Sequence, residues 1–62
     1  MIAAIGYDIA TQVLEVEFHS GKVYIYLDVP PEEHRALLDA ESIGRYFNHE
    51  IRTSYSTARV RG

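Results

Sequence analysis

The chain has no cysteine. That removes a disulfide framework and any thiolate metal site, and it suits a reducing compartment, so a cytoplasmic location is expected. The first residues, Met1-Ile2-Ala3-Ala4-Ile5, have neither a basic leader nor an apolar run long enough for a signal peptide or a membrane span. The two prolines are adjacent, Pro30 and Pro31, and there is no internal repeat, low-complexity tract or linker. With 62 residues the chain has room for one domain, residues 1–62. Chains this small bury only about 60% of their unfolded surface, so self-association is a common route to extra buried area. Positive charge is scarce in front. Residues 1–41 carry eight acidic side chains against Lys22 and Arg35, whereas residues 42–62 carry Arg45, Arg52, Arg59 and Arg61 against Glu50. The net charge of −3 argues against non-specific DNA binding.

Catalytic signatures are equally sparse. No glycine-rich phosphate loop or nucleophile elbow is present, and His19, His34 and His49 are too scattered for a metal motif. Glu15 and Glu17 sit about 7 Å apart on one strand face, near the spacing of a carboxylate pair, but they read as ordinary cross-strand partners. The expectation is a protein that is not an enzyme and carries no cofactor.

What is present reads as α+β. Ile2 to Asp8 forms a first strand, turned back within Ile9-Ala10-Thr11-Gln12. Val13 to His19 alternates, with Leu14, Val16 and Phe18 apolar between Glu15, Glu17 and His19. This gives the pairs Tyr7 with Leu14 and Ile5 with Val16, and places Gly6 on the face expected to carry the tyrosines of the third strand, where its missing side chain leaves room for a ring. Ser20-Gly21 is a hairpin signal, and Lys22-Val23-Tyr24-Ile25-Tyr26-Leu27 is a third strand. A two-residue loop would oppose Val16 to Ile25 and Leu14 to Leu27. Val23, Ile25 and Leu27 would then join the core, while Tyr24 and Tyr26 would face outward beside Glu15 and Glu17. Pro31-Glu32-Glu33 opens a first helix, carrying His34, Leu37, Leu38 and Glu41. Ser42 caps a second, in which Ile43, Tyr46, Phe47, Glu50 and Ile51 share a stripe. Gly44, in its first turn, signals close packing or a break. The architecture is a three-stranded antiparallel meander with two short helices on one face; residues 53–62 stay open between an edge strand and a tail.

Gly6-Tyr7-Asp8, Leu14, Phe18, Ser20-Gly21, Tyr24-Ile25-Tyr26, Val29-Pro30, Leu37-Leu38, Ala40, Ser42, Gly44, Tyr46-Phe47-Asn48, Ile51-Arg52 and Tyr55 occur in an order and spacing that resemble the KTSC domain. That module occurs at the C-terminus of some lysyl-tRNA synthetases and as a free-standing protein. Asp28 departs from the pattern, standing where the family has a glycine before Val-Pro. The resemblance implies an α+β module without established activity, for which attachment to a synthetase suggests RNA binding.

Two surfaces are candidates for function. Arg45 and Arg52 are seven residues apart, two turns of a continuous helix, with His49 between them. With Asn48, Tyr55, Arg59 and Arg61 they form a cluster able to pair with phosphate and stack on a base. The ordinary reading of these residues is a solvated helix face and a charged tail. The functional one is a module for a small nucleotide or a defined RNA element, working as a homo-oligomer. The second surface is the outward tyrosine pair, Tyr24 and Tyr26, either a wet sheet face or an interface for assembly.

Overall fold

The computed structural model describes residues 1–62. Four antiparallel strands, β1 (Ile2–Asp8), β2 (Val13–Phe18), β3 (Val23–Tyr26) and β4 (Thr57–Arg61), lie in the order β1-β2-β3-β4. Helix α1 (Pro31–Asp39) and a short helix α2 (Ile43–Tyr46), which runs on as a π-helical turn (Phe47–Ile51), come between β3 and β4. The fold is α+β, and residues 57–61, left open in the sequence, are a strand. No helix is long and apolar enough to cross a membrane.

The β1–β2 hairpin has the expected pairs, Tyr7 opposite Leu14 and Ile5 opposite Val16. Its four-residue loop is held by Asp8, whose Oδ1 accepts from the amides of Ala10 (2.9 Å) and Thr11 (3.4 Å). Gly6 lies opposite Glu15 and makes room for its carboxylate, 3.6 Å from where a side chain would begin, and not for a tyrosine ring.

The β2–β3 hairpin corrects the expected register. Its loop is His19-Ser20-Gly21, closed by Gly21 N–H to the Phe18 carbonyl and Phe18 N–H to the Lys22 carbonyl, both 2.9 Å. Gly21 has φ +92°, the left-handed residue that follows a tight turn in three-residue loops. The extra loop residue slides β3 by one position, so Leu14 faces Tyr26 and Val16 faces Tyr24. Tyr24 and Tyr26 therefore point toward the helices and not outward. Tyr26 is only 4% exposed, Tyr24 is half-buried, and the tyrosine pair is not a free sheet face. Val23 and Ile25, opposite Glu17 and Glu15, are on the open side, where Val23 is buried all the same, and Leu27 is exposed.

The helices lie over the tyrosine side. Leu14, Val16, Tyr26, Val29, Leu37, Phe47 and Ile51 form the core, with Ile5, Tyr7 and Phe18 packed against it. Phe47 is the plug: its ring meets Tyr26 at 5.3 Å and Phe18 at 5.7 Å, both edge-on. Pro31 occupies the first position of α1 and Glu32 and Glu33 its first turn, as expected, and the Ser42 hydroxyl caps α2 by accepting from the Arg45 amide at 3.3 Å. Gly44 lets the second helix approach Met1, whose Cε lies 3.0 Å from where a Cβ would be.

Tyrosine hydroxyls tie the layers together. Tyr7 donates to the Val29 carbonyl at 2.6 Å, and its ring stacks on His34 at 4.4 Å. Glu33 accepts from both Tyr46 and Tyr55, the latter at 2.9 Å, and so joins α1 to α2 and to the segment entering β4. The bond to Glu33, with burial and its negative charge behind it, pushes the Tyr46 phenol up to about 12; burial first, then the same carboxylate, does so for Tyr55.

Three outcomes follow from these contacts. Tyr26→Lys removes a core ring and buries a cation, at a cost of about 3–5 kcal/mol against a total stability of about 3–9 kcal/mol for a domain this size. Ile25→Lys, facing Glu15, shifts stability by less than about 1 kcal/mol; urea titration of both distinguishes this register from its one-residue alternative. Asp28 has φ +58°, a conformation that an L-residue holds under strain and glycine does not. Asp28→Gly should raise the melting temperature by a few degrees and Asp28→Ala lower it, as a gain or loss of about 0.5–1 kcal/mol would. For Tyr46 and Tyr55 the folded-state pKa is above the unfolded value of 10.0, so above pH 10 the unfolded chain holds fewer protons than the folded one. Their stabilisation is whole below pH 10 and is lost toward pH 12. Thermal unfolding across that range should show a steeper loss for the wild type than for Tyr46→Phe/Tyr55→Phe.

Candidate functional site

Where the π-helical turn passes over the end of β3 and β4, it leaves a hollow of about 460 Å³. Its apolar lining is mostly aromatic, Phe18, Tyr24, Tyr26 and Phe47 together with Met1, and Phe18 and Tyr24 meet edge-on at 5.8 Å. Asn48 and Arg52 from the helical side and Thr57 from β4 supply its polar rim. Arg59 lies directly across from Tyr24 on the neighbouring strand and shares its face of the sheet. The Thr57 hydroxyl donates to the Ile25 carbonyl at 2.8 Å, fixing the start of β4 against β3.

The π turn decides which arginines meet. The Arg52 amide donates to the Phe47 carbonyl at 2.9 Å, five residues back, so the turn takes up more residues than an α-helical one. Seven residues no longer make two turns. Arg45 and His49 line a separate hollow of about 330 Å³ with Ser42, Tyr46 and the carboxylates of Glu41 and Glu50. Asn48 and Arg52 are carried round to the aromatic cleft. The continuous row of Arg45, His49 and Arg52 is thus corrected to two sites on either side of the helix. Tyr55 belongs to neither, because its hydroxyl is committed to Glu33.

The aromatic cleft has no carboxylate in its lining, whereas Glu41 and Glu50 line the hollow that holds Arg45. The one ion pair in the chain is Arg61 with Glu17, 3.5 Å apart on the open side of the sheet. The guanidinium groups of Arg52 and Arg59 have no acidic partner. Burial pushes up the Tyr26 phenol, and the Thr57 hydroxyl and the positive charge of Arg52 pull partly against that shift. No three acidic or histidine side chains come together as a metal set. Four residues of the lining, Met1, Phe18, Phe47 and Thr57, are not among the candidates read from the sequence. Phe18 is found once the true register puts it beside Tyr24, and Thr57 once β4 is known to pair with β3.

The family model for the KTSC domain matches residues 1–55. An uncharacterized protein of Stutzerimonas stutzeri is 48% identical over 54 residues, covering 87% of this chain and 76% of that one. A lysine–tRNA ligase of Nostoc punctiforme is 40% identical over 55 residues; the match covers 89% of this chain and 10% of the ligase. Among solved structures, a KTSC domain protein from Yersinia pestis superposes with a TM-score of 0.92 at 34% identity, covering 95% of this chain and 83% of that one. Asn48 and Arg52 lie inside the matched segment, whereas Thr57 and Arg59 lie beyond it. The fold and the sequence agree: the chain belongs to the KTSC domain family.

Proposed function

We propose that this domain is a non-catalytic binding module that takes a phosphate-bearing nucleotide, free or within a defined RNA element, in the aromatic cleft, and that it works as a homo-oligomer. The observation that carries this reading is the Arg52 guanidinium, without an acidic partner, at the rim of a hollow lined by the rings of Phe18 and Tyr24, with Arg59 opposite Tyr24 on β4. Guanidinium groups pair with phosphate through charge-assisted bonds, and aromatic rings give a base a surface to stack on. The Asn48 amide adds one donor group and one acceptor at the rim. At about 460 Å³ the hollow is within the about 300–1,000 Å³ of small-molecule sites. The net charge of −3 disfavours a long polyanion lying across the surface and favours a compact ligand. A related segment also forms part of a protein named as a lysine–tRNA ligase, whose substrate is an RNA.

Titration with adenosine and guanosine mono-, di- and cyclic phosphates and with short RNAs, followed by thermal shift and fluorescence anisotropy, tests the proposal. Binding is expected to weaken between about 50 and about 200 mM salt. Arg52→Ala should cost about 1.5–3 kcal/mol of affinity, roughly 10- to 150-fold, while Arg45→Ala in the other hollow changes it little. Salt-independent binding, or an Arg52→Ala variant that binds like the wild type, overturns the reading.

A further inference from the structure

We infer that the free edge of β1 is the surface through which two copies of this chain pair, making one continuous sheet. This names the contact for the homo-oligomer proposed above and rests on that reading.

The sheet has two edges, β1 and β4. They are protected very differently. β4 carries Arg59 and Arg61 within five residues, so pairing it with itself would bring arginines together. β1 has no charged residue between Ile2 and Tyr7 and no proline, and its one irregularity is confined to Ala3. From Ala4 to Tyr7 it is regular, with β2 on one side and nothing on the other. Over this stretch its outward backbone N–H and C=O groups form an unpaired row with no charge, proline or bulge to block it.

An apolar groove of about 630 Å³ runs beside this row, between β1 and the junction of α1 and α2. Ile2, Ile5, Leu38 and Ile43 line it. Leu38 is 49% exposed and Met1, at the same groove, 56%. Backbone groups and apolar side chains are therefore left open along the same edge.

Charge and symmetry favour a second copy as the occupant. Two chains of net charge −3 repel each other over most of their surface, and the β1 edge is a stretch without charge. Paired antiparallel about a two-fold axis, the strands place their Asp8 carboxylates at opposite ends of the contact. The contact is isologous and closes at two, whereas β1 pairing on β4 of the next copy runs head to tail. The resulting eight strands stay within the range that a twisted sheet supports. Area sets the strength. Seven residues at about 3.4 Å give an edge about 24 Å long, and with the molecule's 18 Å thickness a face of roughly 430 Å². That is about half of the roughly 800 Å² per partner in a standard interface, so the dimer is weak and concentration-dependent.

Sedimentation equilibrium of the full chain from about 10 μM to about 1 mM tests this, spanning the range of weak complexes. The expected result is a reversible monomer–dimer transition, with amide exchange at Ala4–Gly6 slowing as the dimer fills. Ala4→Lys puts a cation on the edge, where Glu17 on the neighbouring strand can accommodate it within the fold. It should raise the dissociation constant at least 10-fold. Leu38→Lys, on the exposed side of α1, should do the same through the groove, and decides the matter if Ala4→Lys does not fold. A wild-type chain that stays monomeric at about 1 mM overturns both this contact and the homo-oligomer. Self-association that the decisive variant leaves unchanged overturns the β1 edge alone and points to another face.

Discussion

Gly21 sits with φ +92° at the end of a three-residue loop, and the position of every group on the helix side of the sheet depends on that choice. A two-residue loop would present Val23 and Ile25 to the helices. The extra residue presents Tyr24 and Tyr26 instead, and the core is built accordingly. Phe47 then finds the edges of Tyr26 and Phe18 to pack on, and the turn that carries Phe47 takes its place over the end of β3. The cleft proposed for binding is what remains open between that turn and β4. Core and cleft share the same rings, so the loop that sets the register also supplies the aromatic lining.

The buried set is small: eight residues, all apolar or tyrosine, in a chain with no disulfide to hold it. Tyrosine hydroxyls make up part of the difference. Glu33, placed by the first turn of α1, accepts from two of them and thereby links three segments. Tyr7 does the same between β1 and the residue ahead of the helix. These ties bury ring area and satisfy the polar tip together, which suits a domain too thin for a larger core. They also hold Tyr55 against the core, outside the lining of both hollows.

How much of this was legible in the sequence depended on whether a segment had two different sides. β2 alternates apolar residues with glutamate, so its buried face was readable, and the pairing with β1 followed from loop parity. The cap at Ser42 and the helix start at Pro31 were readable from side-chain chemistry. β3 is Val-Tyr-Ile-Tyr, with either face fit for burial, so the turn alone decides, and Ser20-Gly21 fits loops of two or three residues alike. Asp28 showed as a departure from the family's glycine, and its positive φ gives that departure a physical meaning. The arginine row failed for a different reason. An α-helical period is the plain reading of residues 45–52, and nothing in Phe47-Asn48-His49-Glu50-Ile51 marks a π turn, because burial of Phe47 and Ile51, four residues apart, suits an α-helix equally well.

The π turn links packing to the proposed binding site. It keeps Phe47 and Ile51 buried while rotating Asn48 and Arg52 away from Arg45 and toward β4, so one local change in helical pitch serves both the core and the cleft. Turns of this kind cost regular hydrogen bonding and recur at functional sites, which is the expected balance when side-chain placement outweighs helix regularity. The matched family segment ends at residue 55, so it includes this turn and its Asn48 and Arg52 but not β4 with Thr57 and Arg59. The structural match to the Yersinia pestis KTSC protein covers 95% of the chain and so extends beyond that segment, and on the proposed reading β4 contributes a second arginine opposite Tyr24. Phosphate affinity in this chain would then exceed that of a relative whose fourth strand lacks an arginine at the same position, with base stacking unchanged, because Phe18 and Tyr24 belong to strands inside the matched segment.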